Sequence, residues 1–135
     1  MNQTRFIVQS PLRDLIIVTG QLVLAADASL TRVLSAGGAY TAAKAATGRY
    51  RVTFREGLPA VQYYTVPIPI GTLQTLNQAA PAGAVDLVFG QLDLTTTPKT
   101  PTLDIMTLSA AGVLADVSVG CLINFAIFFS NTSAP

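Results

Sequence analysis

Arg49-Tyr50-Arg51-Val52-Thr53-Phe54-Arg55 alternates without a break: Tyr50, Val52 and Phe54 fall on one side of an extended chain, Arg49, Arg51, Thr53 and Arg55 on the other. Successive side chains of a strand point to opposite faces, so one side is core and the other an outer, basic ridge. Arg49, Arg51 and Arg55 are three of only eight basic residues in the chain. The ridge reads either as a solvated outer face or as a grip for an acidic partner. Nucleic acid is disfavoured, because no aromatic side chain shares the ridge for base stacking.

Working outward, the rest of the sequence reads as further short strands separated by Gly, Pro, Asn, Ser and Thr turns, with no sustained helical periodicity. Candidate strands are 4–9, 14–19, 21–26, 30–34, 39–45, 61–68, 84–89, 103–108 and 117–129, the last broken or bulged at Gly120. The expected fold is all-β, an antiparallel sandwich of jelly-roll-like type in which two sheets share one core. Gly37-Gly38 suits a hairpin turn. The one candidate helix is short, near 72–78. Val66-Pro67-Ile68-Pro69-Ile70 is unsuited to a central strand, since each proline removes a ladder donor, and reads as an edge strand or an extended arm.

Elsewhere the alternation fails in an informative way. Leu15-Ile16-Ile17-Val18, Leu22-Val23-Leu24 and Phe125 to Phe129 place apolar side chains on both faces. A two-layer sandwich covers only one face of each strand, so the other needs a second cover, and an oligomer interface supplies one. Leu15 and Ile17 are candidates for it. Tyr63 and Tyr64 are neighbours that point oppositely in a strand, so one leaves the core, where an aromatic with a polar tip suits an interface or an exposed surface.

Composition supports a covered surface. Half of the 135 residues are hydrophobic, eight are basic and seven acidic, with no histidine, no tryptophan and one cysteine. A folded monomer of 14.1 kDa exposes roughly 6,700 Å², which leaves about half the charge density of an average composition. The length fits a single domain over 1–135, with 1–10 as an N-terminal arm or edge strand. A net charge of +1 gives no bulk field for nucleic acid. Cys121 sits among Val119, Gly120, Leu122 and Ile123 and reads as a small buried hydrophobe. Met1-Asn2-Gln3-Thr4-Arg5 has no signal-peptide pattern, which fits cytoplasmic synthesis.

Mean hydropathy is +0.50, yet neither charge-free stretch reads as a membrane helix. Residues 57–85 contain Pro59, Pro67, Pro69 and Pro81, and 117–129 is well short of the ~20 residues needed to cross. No membrane association is expected.

Catalytic groups are sparse. Without histidine there is no Ser/His/Asp or Cys/His arrangement, and carboxylates are left as the main metal ligands. Asp86, Asp93, Asp104 and Asp116 match no calcium-loop spacing and read as turn and strand-end residues. Phosphate-cradling glycine loops are absent. The expectation is a non-enzymatic protein without cofactor or metal.

Ala46-Thr47-Gly48-Arg49-Tyr50-Arg51-Val52-Thr53-Phe54, followed by Leu58-Pro59-Ala60-Val61, resembles a stretch recurrent in small β-sandwich proteins of tailed-phage virions, both head-decoration (cement) proteins and tail-fibre tips. There it forms a turn, a central strand and the start of the next strand. Asp116-Val117-Ser118-Val119 and Ile123 to Asn131 are similar to the closing strand of those proteins. The resemblance implies a homotrimer on the capsid exterior, bound to the major capsid protein and stabilising the phage head. The alternative it implies is a fibre or spike tip that recognises a host receptor or carbohydrate through Tyr63, Tyr64 and 95–100. The strand-like opening at Met1, with no preceding shaft, favours the cement protein.

Overall fold

Strand β4 (Arg49–Phe54) buries Tyr50, Val52 and Phe54 completely and leaves Arg51 exposed, so the alternation in the sequence is also that of the fold. The computed structural model describes residues 16–35, 38, 40–55, 68–90, 92–93 and 100–129. The other strands are β1 (Ile16–Leu24), β2 (Leu30–Ser35), β3 (Tyr40–Ala46), β5 (Ile68–Thr75), β6 (Ala84–Phe89), β7 (Thr102–Ser109) and β8 (Cys121–Phe129). They pair antiparallel in two four-stranded sheets, ordered β2-β1-β8-β5 and β3-β4-β7-β6. The fold is an all-β sandwich.

The inward rows of the two sheets make one core. Leu22, Leu24, Ile123, Phe125 and Ile127 from the first sheet face Tyr50, Val52, Phe54, Leu103 and Ile105 from the second. Tyr50 also reaches across to the β1–β2 turn, where its hydroxyl donates to the Ala28 carbonyl at 2.6 Å. Ala28 has a φ of +66°, costly for a side chain with a Cβ, and its complete burial against the core keeps it there. Cys121 is buried as expected, and burial pushes its thiol pKa up.

Four expectations need correcting. Residues 14–19 and 21–26 are not two strands: β1 runs straight through Gly20, whose missing side chain makes room for the Tyr40 ring from β3. Thr72 is not in a helix, because β5 continues to Thr75 and only Leu76–Gln78 forms a 3-10 turn, with Asn77 and Gln78 at positive φ. The turn containing Gly38 is not a hairpin, since β2 and β3 lie in different sheets and the chain crosses between layers there. β8 begins only at Cys121, after the break at Gly120, while Val117 makes an isolated bridge to Gly83.

Proline punctuation is borne out. Ile68, Pro69 and Ile70 open β5, the outermost strand of its sheet. Candidate strand 4–9, most of 61–68, and the sites Leu15, Tyr63 and Tyr64 lie outside the described residues.

Candidate assembly surfaces

The two outer sheet faces differ in kind. The outer face of β4, β6 and β7 carries Arg49, Arg51, Asp86 and Asp104, whereas β1, β2, β5 and β8 together carry only Arg32.

On the charged face, register decides the chemistry. Arg51 pairs directly with Asp104 across the β4–β7 ladder, and Arg49 lies two residues away on the same face. Arg51 Nε and Nη2 donate to the two Asp104 oxygens at 2.8 and 3.2 Å, while Arg49 Nη1 donates to Oδ2 at 3.0 Å. The Arg51 hydrogen bond, helped by Arg49 and outweighing the effect of burial, holds the Asp104 carboxyl below its usual pKa. The basic ridge is therefore part of an Arg-Asp-Arg cluster, in which one carboxylate offsets one of the two cations. Arg55 is exposed one residue past β4.

Beside the cluster lies a groove of about 270 Å³, lined by Arg49, Arg51, Asp93, Thr102, Asp104 and Met106 with Gly90. Two of the four aspartates thus converge. In a glycosidase-like pair one carboxyl keeps its proton near neutral pH, and Asp104, held ionised by two guanidiniums, is unsuited to that role. Asp116 is elsewhere: burial raises its pKa, but the Gly48 N–H at 2.7 Å and the Lys44 ammonium at 2.9 Å prevail and leave it low. Its role is to tie the β3–β4 turn to the segment before β8. Asp86 accepts the N–H of Leu87. Among the described residues no group of three His, Cys, Asp or Glu is placed to hold a metal.

The other outer face is nearly charge-free and mixes aliphatic with neutral polar side chains. In register across it run Ile17, Phe128 and Ile68; then Thr19, Ala126 and Ile70; then Leu34, Gln21, Asn124 and Thr72; then Arg32, Val23, Leu122 and Gln74. Ile17, Ile68 and Ile70 are each about half exposed (50%, 53% and 53%), so the isolated chain leaves branched aliphatic side chains in water on β1 and β5, the two strands that flank β8. A shallow depression of about 350 Å³ lies over Ala126 between Ile70, Thr72 and Asn124.

Three amides on this face pair with one another. Gln21 Nε2 donates to Asn124 Oδ1 at 2.7 Å, and Asn124 Nδ2 donates to Gln74 Oε1 at 2.7 Å. This amide ladder spans β1, β8 and β5. Sequence reasoning found Ile17 through the failure of alternation, but it missed Ile68, Ile70 and the ladder. The ladder partners are 103 and 50 residues apart, so only the strand order reveals them.

Comparison of the chain with protein-family models, with curated proteins and with solved structures finds no match.

Proposed function

We propose that this chain is a structural virion protein, a head-decoration protein that trimerises and stabilises a phage capsid by bridging copies of the major capsid protein. The observation that carries the reading is the contrast between the two outer faces: one almost charge-free with exposed aliphatic side chains, the other bearing the Arg49-Asp104-Arg51 cluster. Such a molecule has one surface to lose against its siblings and another to present to a different partner. The resemblance of residues 46–54 to virion β-sandwich proteins points the same way.

The mechanism is adhesion without chemistry. A ligand that binds the assembled shell better than its dissociated parts stabilises the shell by mass action. Three copies around one axis engage three equivalent sites at once, which multiplies weak contacts into tight attachment. Guanidiniums held in a fixed plane by Asp104 are suited to meet an acidic patch in one register.

Occupancy on isolated capsids across a salt series tests this. Arg49→Ala with Arg51→Ala should keep the protein folded and weaken binding most at low salt. Asp104→Asn, which releases both cations, should strengthen it. No binding of the wild-type protein to capsids at any salt concentration, or equal occupancy for all three proteins, would defeat the reading.

A further inference from the structure

We propose that the outer face of the β2-β1-β8-β5 sheet is the contact between copies of this chain, and that the Gln21-Asn124-Gln74 ladder sets their relative orientation. The inference deepens the trimer reading and relies on it only for the number of copies.

Area and charge support a second copy as the occupant. Strands of six to nine residues, four abreast at ~4.8 Å spacing and ~3.3 Å per residue, project roughly 500 Å². Three such faces meeting around one axis bury roughly 1,500 Å² over the whole ring, comparable with the total of a standard contact between folded proteins. Arg32 lies at the margin, on the outer strand β2. Among the described residues, an acidic or basic partner would find nothing to pair with on the rest of the face, whereas an identical uncharged face matches it.

The ladder makes covering the face cheap and also gives it a direction. Its internal amides are already paired with one another, so burying them costs less than burying free amides. Donation runs one way, from Gln21 to Asn124 to Gln74. Among the described residues this leaves the Gln21 amide oxygen open at one end and the Gln74 amide nitrogen open at the other.

A rotation axis parallel to the strands sets the β5 half of one copy's face against the β2-β1 half of the next. The Gln74 N–H of one copy then meets the Gln21 carbonyl of its neighbour, and a closed ring satisfies every amide. Turning the neighbour end for end sets donor against donor, and relieving that takes a concerted flip of all three amides in one copy. A buried amide fixes register in the same sense in coiled coils.

Sedimentation equilibrium of the purified full chain, without capsids, is the test. Wild type should associate at micromolar concentration, at about 42 kDa for three copies of 14.1 kDa. Ile70→Asp and, on another strand, Ile17→Asp should each give a folded monomer by circular dichroism. Gln74→Glu keeps an acceptor for Asn124 but loses the outward donor, and should weaken association roughly tenfold or more; adding Gln21→Lys should restore it. A monomeric wild type, association unchanged by both aspartate substitutions, or association indifferent to Gln74→Glu would overturn the proposal. A protein that associates as described but does not bind capsids would leave it standing and defeat only the decoration reading.

Discussion

Gly20→Ala reverses the usual effect of such a change. Alanine is favoured over glycine in a strand by ~0.5–1 kcal/mol on backbone entropy, so an open site would gain stability. Gly20 is not open. It pairs with Phe125 on β8, which pairs on its other side with Gly71 of β5, so the Phe125 ring lies between two residues without side chains. Tyr40, from the opposite sheet, fills the space above Gly20: its ring centroid is 5.4 Å from that of Phe125 at 58°, and its hydroxyl donates to the Leu34 carbonyl at 2.7 Å. A Cβ on Gly20 would overlap the Tyr40 hydroxyl and stand 2.8 Å from Phe125 Cζ. Tyr40 is 3% exposed and has nowhere to swing. Overpacking costs ~1–3 kcal/mol and the lost hydrogen bond ~1 kcal/mol; set against the backbone gain, the net destabilisation is about 2 kcal/mol. In urea, where the slope for a small domain is ~1–3 kcal/mol per molar, the unfolding midpoint should fall by about 1 M. Tyr40→Phe removes the clashing oxygen, so the double variant should lose less than the sum of the singles. A midpoint unchanged or raised by Gly20→Ala would refute the packing argument.

Two further outcomes follow from the core. Phe54→Ala, at a fully buried site, should cost ~3–5 kcal/mol in denaturant unfolding; a loss under about 1 kcal/mol would mean that the core can close over the gap. Burial pushes the Tyr40 phenol up to about 12 and raises that of Tyr50 further. Unfolded tyrosines ionise near pH ~10, so above that pH the unfolded chain holds fewer protons than the folded one. Stability should therefore be intact below pH ~10 and fall as pH rises toward 12. Unfolding free energies measured from pH 8 to 11.5 should show this decline, with a shallower slope in Tyr40→Phe; a flat profile would contradict the burial of these phenols.

The sequence disclosed most where one strand had one wet and one dry face. Residues 49–55 are legible for that reason, and Ala84–Phe89 is found to its ends. It misled where a glycine served packing instead of turning, as at Gly20, and where a polar run such as Thr72-Leu73-Gln74-Thr75 looked helical but lay along a sheet edge. Ile17 was legible as a surplus apolar residue. The Arg-Asp-Arg cluster was not, because Asp104 is 53 residues from Arg51 and only the β4–β7 register joins them. The same holds for Asp116, 68 residues from the Gly48 N–H it accepts.

Pro69 sits between Ile68 and Ile70 on the outermost strand of the nearly charge-free sheet. Those isoleucines make the strand attractive to any extended hydrophobic segment, and an unguarded strand of this kind is where fibrils begin. A ring without an N–H gives an incoming strand no donor at that position, so the backbone ladder does not extend sideways past it. Stickiness is thereby confined to one direction in space. Copies can be drawn together through the plane of the sheet, where association ends in a finite body, while growth along the hydrogen-bonding direction, which has no natural end, is interrupted at its first rung.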